Sequence, residues 1–233
     1  MSASGEHTVK AFDDEIATLR GLISEMGGLA EAAIAAAMNA LVKHDLEGAK
    51  IVIEGDRRID VLEVEVERLA VRIIALRAPM ANDLREVVAA LKISSVVERI
   101  GDYAKNIAKR VALLDGKRKI EAMTVLVAMS QIASEMVHDV LNAFAARDAD
   151  KAVAVIARDQ AVDDFYNSVF RMLVTFMVEN PQSIGNAAHL LFIAKNLERI
   201  GDHATNVAEM VYFAATGDYF TDRNLDTLNV DGG

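Results

Sequence analysis

The pentad ERIGD, from Glu98 to Asp102, returns letter for letter from Glu198 to Asp202. It lies inside a longer match. LKISSVVERIGDYAKNIAKRV at 91–111 aligns with LFIAKNLERIGDHATNVAEMV at 191–211, at an offset of 100. VIEGDRRID at 52–60 aligns with VIARDQAVD at 155–163, at an offset of 103, the loops absorbing the difference. An internal duplication constrains the fold more than any bulk property: one unit must be built twice within 233 residues.

The unit reads as helical. The chain has two prolines and no tryptophan, and it is rich in Ala, Leu, Val, Ile, Glu and Met, which favour helix. Val97, Ile100, Ala104, Ile107, Val111 and Leu114 alternate three and four apart, the spacing of a heptad seam. Pro79 and Pro181 break helix interiors. Polar breaks at His44-Asp45, Asp115-Gly116-Lys117 and Arg147-Asp148 complete the division. Six long helices are predicted, roughly 8–43, 46–77, 82–114, 119–146, 149–179 and 183–215. The fold class is therefore all-α, a tandem duplication of an antiparallel three-helix bundle. The first repeat spans 1–116, the second 117–216, and a polar C-terminal tail covers 217–233.

A net charge of −10 and a pI near 5.0 argue against general nucleic-acid binding, which needs a basic face. There are no cysteines, so disulfides, thiolate metal sites and cysteine catalysis are excluded. The first fifteen residues lack the basic-then-apolar order of a signal peptide. Apolar runs are short and interrupted, and none approaches the ~20 residues of a membrane span. The expected location is cytoplasmic.

Each unit carries two acid-x-x-x-acid pairs: Asp56/Asp60 with Glu98/Asp102, and Asp159/Asp163 with Glu198/Asp202. Residues four apart stack on one helix face, where like charges cost ~0.2–0.5 kcal/mol unless compensated. At about 100° per residue, the Glu98/Asp102 face lies largely away from the apolar seam, and Asp56/Asp60 flank the stripe of their own helix beside Glu63 and Glu67. The carboxylates are expected to be accessible and not buried. Asp56/Asp60 and Glu98/Asp102 are equidistant from the turn at Pro79, and the second set is equidistant from Asn180-Pro181. Four carboxylates should therefore meet at one level in each unit, with no lysine or arginine between them. Such an all-oxygen set suits Mg²⁺, Ca²⁺, Mn²⁺ or ferric iron better than Zn²⁺ or Cu²⁺.

The neighbours of the pairs have readings too. Gly101 and Gly201 leave room for an ion cluster, a water shell or the preceding helix. Asn106 and Asn206 are candidates for ligating or for orienting ligands. Arg99 and Arg199 can neutralise the acids as ordinary ion pairs, although they point sideways. A lone acid-x-x-x-acid pair is usually a solvated face; the duplication and the shared level are what favour cations. Catalytic signals are few. There is no nucleophile elbow and no phosphate-binding glycine loop. Glu135 and His138 form one Glu-x-x-His motif with no second in register, which reads as a surface or packing histidine. His203 replaces Tyr103 between the repeats. Gly27-Gly28 and the alanine face Ala30, Ala33, Ala37 and Ala40 favour a close helix crossing.

The duplicated ERIGDxAxN pattern, the D-x-x-[IV]-D of helices two and five, and PMANDLREVVAALKI at 79–93 closely resemble the PhoU family of bacterial phosphate-transport accessory and regulatory proteins. The resemblance covers the chain up to the tail, although PQSIGNAAHL at 181–190 lacks the Asp-Leu-Arg of 83–85. It implies two three-helix bundles, iron or zinc clusters on the acidic pairs, and no enzymatic reaction. It implies an adaptor between the ATPase subunit of the phosphate ABC transporter and a sensor histidine kinase, peripheral to the membrane through these partners. Such an adaptor keeps the phosphate-starvation response off, and restrains uptake, when phosphate is plentiful. A homodimer is the expected assembly. The alternatives are a metal-dependent helical-bundle enzyme, a metal-storage protein, and a bare scaffold with solvated acids.

Overall fold

A computed structural model describes residues 3–115 and 122–221, with side chains from Ala11 onward. The boundary between the repeats at 116–117 and the tail from 222 lie outside the described residues. The first unit comprises α1 (Ala3–Lys43), α2 (Leu46–Gly55), α3 (Arg57–Arg77) and α4 (Asn82–Val111). The second comprises α5 (Ala122–Ala146), α6 (Ala149–Ile156), α7 (Asp159–Glu179) and α8 (Ile184–Thr216), the last preceded by a 3₁₀ turn at Pro181–Ser183.

The duplication is visible in the corners. His44 and Arg147 take positive φ, 53° and 55°, at the ends of α1 and α5. The amides of Asp45 and Asp148 reach back to the carbonyls of Ala40 and Ala143, both at 2.9 Å, closing Schellman-type ends. The same two aspartates then cap the next helices, accepting from Gly48 N and Lys151 N at 3.0 and 2.9 Å. HDLEG and RDADK are thus the same corner in two spellings.

One expectation needs correcting. The second and fifth predicted helices are each interrupted, between α2 and α3 and between α6 and α7. At the first break the Asp56 carbonyl accepts from Ile59 N at 2.9 Å, a three-residue bond that tightens the ladder locally. At the second, Arg158 O accepts from Ala161 N at 3.0 Å. The first break falls at the first acid of D-x-x-x-D, and the second just before it. Gly55 ends α2 at the first break, and no proline or glycine marks the second.

The predicted seam of α4 is the core. Val97, Ile100, Ala104, Ile107 and Val111 are all buried, and Leu114 is partly so. On α8 the matching residues Leu197, Ile200, Ala204, Val207 and Val211 are buried too. α4 packs on α1, α3 and α8, and α8 packs on α5, α6 and α7. α4 and α8 run antiparallel, as Asp115 N donating to Asn186 Oδ1 at 3.1 Å at one end shows. At the other end Gly217 lies against the Arg85 guanidinium. One continuous apolar cluster joins both units.

α1 also departs from expectation. Within Ala11–Lys43 it holds an 18-residue window long and apolar enough, by length and composition, to cross a membrane. Its apolar side is occupied, however: Leu19, Ile23, Met26, Ala30, Ile34 and Ala37 are all buried in the bundle. Alanine-rich packing raises its hydropathy. At Gly27 an added Cβ would run into Leu141 of α5, so the lone glycine pair does mark a close crossing.

Candidate functional site

The hairpin argument places the acids of each unit on one patch. Asp56 ends α2, Asp60 lies in the first turn of α3, and Glu98 and Asp102 face them from α4. A Cβ added at Gly101 would lie 2.7 Å from Ile59 Cδ1 and 3.3 Å from Asp56 Oδ1. At Gly201 the corresponding distances are 3.2 Å to Val162 Cγ1 and 3.5 Å to Asp159 Oδ1. Of the three occupants considered for the glycine notch, it is the preceding helix, first acid included, that fills it.

Two expectations for the first unit fail. Asp56 is buried, at 5% exposure, and Glu98 and Asp102 are only partly exposed; Asp60 alone lies open. The break at Asp56 offsets α2 from α3, which a straight-helix projection cannot include. Second, a cation does lie between the acids. Lys105 Nζ donates to Asp56 Oδ2 at 2.5 Å and to Asp102 Oδ1 at 2.7 Å. Its own pKa is raised, first by its bond to Asp102 and then by that to Asp56. Lys105 lies three residues after Asp102, on the same helix face, so its position was available in the sequence.

The remaining acids feel the crowding. Glu98 is pushed up to about 7, first by burial and then by the charges of Asp102, Glu63, Asp60 and Asp56. Asp60 is also raised, by burial and then by Asp56. Lys105 thus leaves part of the patch uncompensated.

The second unit differs at one decisive place. Thr205 stands where Lys105 stands in the first. Its hydroxyl lies buried without a hydrogen-bond partner among the described residues, and the Asp159 carboxyl is raised by burial and by Asp202 and Asp163. Asp159 Oδ1 is buried without a hydrogen-bond partner. Asp202 is raised by burial as well. Lys195 pairs with Glu198 from the preceding turn and its charge also reaches Asp202; among the described residues no lysine forms an ion pair with Asp159, Asp163 or Asp202. Asp163 is partly exposed beside them.

The neighbours divide otherwise than expected. Arg99 and Arg199 form no ion pair with these acids among the described residues; Arg199 lies over the Tyr103 ring at 5.8 Å. Asn106 and Asn206 line two cavities along the α4–α8 seam and bond none of the acids among the described residues. His138 is a surface residue whose Nδ1 lies 3.1 Å from Glu31 Oε2.

A metal fits these residues unequally. Among the described residues no three acids or histidines are already gathered as a ligand set. The second patch has the right chemistry: oxygen donors only, raised pKa values, and an unpartnered carboxylate oxygen at Asp159. In the first patch an incoming ion competes with Lys105 for Asp56 and Asp102.

Sequence reasoning missed a further group. Glu86, 4% exposed on α4, holds Arg20 of α1 at 2.5 Å and also pairs with Arg147 at the α5–α6 corner. Its buried carboxylate ties the two units through two arginines that stay partly in solvent. DLRE at 83–86 carries it, but no spacing rule connects residues 20, 86 and 147.

Comparison with known proteins adds three findings. The family model described as PhoU domain matches residues 23–111 and again 126–211. A Zymomonas mobilis protein named phosphate-specific transport system accessory protein PhoU homolog is 55% identical over 217 residues, covering 93% of this chain and 92% of that one. The Escherichia coli protein named phosphate-specific transport system accessory protein PhoU is 34% identical, covering 96% of this chain and 93% of its own. Crystal structures of PhoU from Pseudomonas aeruginosa and of the phosphate transport system regulatory protein PhoU from Streptococcus pneumoniae superpose with a TM-score of 0.85 each, at 36% and 30% identity. They cover 89% and 90% of this chain and 100% and 99% of their own.

Proposed function

The chain belongs to the PhoU family, and from that premise we propose that it is an accessory protein of phosphate transport acting as a signalling adaptor. In this reading it contacts the ATPase subunit of the phosphate ABC transporter and a sensor histidine kinase. It holds the kinase from activating the phosphate-starvation response when phosphate is abundant, and it restrains uptake. The observation that carries the reading is the similarity along the whole chain to relatives named for the phosphate-specific transport system, in both repeats at once. Those names describe an accessory protein, which favours an adaptor over a metal-dependent enzyme or a metal store. The adaptor works in the cytoplasm, as a homodimer, reaching the membrane only through its partners.

The acidic patches have a place in this proposal. Asp159, Asp163, Glu198 and Asp202 hold a metal ion or cluster in the second unit. Asp56, Asp60, Glu98 and Asp102 do so in the first, once Lys105 is displaced. Iron and zinc are the metals the resemblance implies, and the oxygen donors equally suit Mg²⁺, Mn²⁺ and Ca²⁺. When bound, the metal supplies positive charge that clamps α3 to α4 and α7 to α8. The residues themselves set the geometry: the breaks aim the first acids inward, and the glycines let the helices close.

The test is co-purification. Purified full-length chain is mixed with the ATPase subunit, and separately with the cytoplasmic part of the kinase, in phosphate-rich buffer. Retention of both partners is expected. Retention of neither contradicts the adaptor reading.

A further inference from the structure

The α4–α8 seam has two ends, and the duplication makes them equivalent. Each end encloses a cavity, of about 540 Å³ at one and about 200 Å³ at the other. The larger is walled by four cations: Lys109 and Arg110 of α4, and Lys195 and Arg199 of α8. The positions of Lys109 and Arg110 are taken at the other end by Glu209 and Met210, which with Lys92 line the smaller cavity. A concentration of positive charge thus sits at one end only, on a chain whose net charge is −10.

The protein's own acids neutralise these cations only in part: Lys195 pairs with Glu198, and Lys195 and Arg199 lie within the field of Asp202. Arg110 lies on the Phe192 ring at 4.5 Å, with Nη1 3.2 Å from His189 Nδ1. Arg199 lies over Tyr103. Lys109, Arg110 and Arg199 form no ion pair among the described residues; Lys195 alone is shared, with Glu198. Aromatic faces orient a guanidinium without neutralising it. Four cations converging on a concave site repel one another until an anion enters. The amides of Asn106 and Asn196 add uncharged donors to the same wall.

We propose that this cavity binds a small anion carrying several linked phosphates. Its volume lies in the range of small-molecule sites, ~300–1,000 Å³, and a single orthophosphate would leave most of it empty. Guanidinium forks and ammonium groups on opposite walls suit a chain of phosphates spanning them. Phe192, 54% exposed at the wall, provides an apolar face for a base or another flat group. The site adjoins the second acidic patch through the Lys195–Glu198 pair, and it does not depend on the adaptor reading.

Binding is measured by calorimetry on the full-length chain with tripolyphosphate, ATP, orthophosphate and adenosine. EDTA is present throughout, so that no metal on the acidic patches can hold the phosphates. Tripolyphosphate and ATP should bind, orthophosphate at least about tenfold more weakly and adenosine not at all, with affinity falling as salt rises. ATP tighter than tripolyphosphate assigns a nucleotide; equal affinity assigns the phosphate chain alone. Lys109→Glu with Arg110→Met installs the residues of the other end, which the same fold already carries. It should weaken binding about tenfold or more at unchanged helicity and melting temperature, and Arg110→Met alone should weaken it less. The proposal is overturned if neither polyphosphate binds, if the double variant binds as the parent does, or if a glutamate-rich peptide binds more tightly than tripolyphosphate.

Discussion

Tyr103 and His203 occupy the same position of the two repeats, and they touch each other. Their ring centroids are 5.1 Å apart, edge to face, at 87°. Antiparallel packing of α4 on α8 makes this pair the local two-fold axis of the duplication, and the two seam cavities lie to either side of it. Burial lowers the His203 pKa, which keeps the ring neutral at the centre of the interface. The repeats are therefore not beads on a string. Each acidic patch lies on the helix that also joins the two halves.

Glu98 makes metal-free stability fall with rising pH. Its folded pKa is about 7, raised from the ordinary 4.5 by burial and by neighbouring acids. The folded chain keeps this proton where the unfolded chain has lost it. The stabilisation is complete below pH 4.5 and disappears as pH rises through 7. Glu98→Gln should remove about 1 kcal/mol of that fall, a figure discounted for solvent screening. Urea unfolding in EDTA across this window checks it; the same pH slope in parent and variant would contradict it.

Lys105 is expected to stand in for a metal. Lys105→Thr gives the first patch the residue of the second and strands the buried Asp56 carboxylate. Without metal it should cost about 2–3 kcal/mol. Added Mn²⁺ should restore much of the loss and stabilise the variant more than the parent, by mass action. Thermal melts with EDTA and with Mn²⁺ decide this, and a variant indifferent to both would remove the first patch as a cation site.

Asp56 itself is a poor choice for a silent metal knock-out. With the acids outward-facing, Asp56→Asn plus Glu98→Gln would empty the patch at no cost to the fold. Asp56 is buried and bonded to Lys105, so the double variant should trade relief at Glu98 against a weakened lysine pair. Single Glu98→Gln should melt higher than the double variant in EDTA. The reverse order would mean that Asp56 is not structural.

Glu86→Gln should loosen the units from each other. It leaves Arg20 and Arg147, both open to solvent in part, facing a neutral amide, a change of about 1–2 kcal/mol. Chemical denaturation measures the loss. Stability equal to the parent's would show that the ionic tie is dispensable.

The sequence carried the large-scale fold well, for physical reasons. The α4 seam and the two Asp-capped corners follow from rules local to a helix or a turn, and the duplication doubled each signal. What escaped it depends on small backbone offsets. Gly55 marks the first break only weakly and nothing comparable marks the one before Asp159, yet the two breaks decide which acid is buried. Lys105 was legible: it lies three residues after Asp102 and, at about 100° per residue, within about 20° of Glu98 on the same helix face. The Arg20–Glu86–Arg147 tie and the basic cavity bring together residues far apart in sequence, which no spacing pattern encodes.

The central claim, that this chain keeps the phosphate-starvation response off, is tested most directly by transcription of phosphate-responsive genes after deleting its gene. In phosphate-rich medium those genes should become active in the deletion strain, and an intact copy should silence them again. Continued silence in the deletion strain would contradict the account.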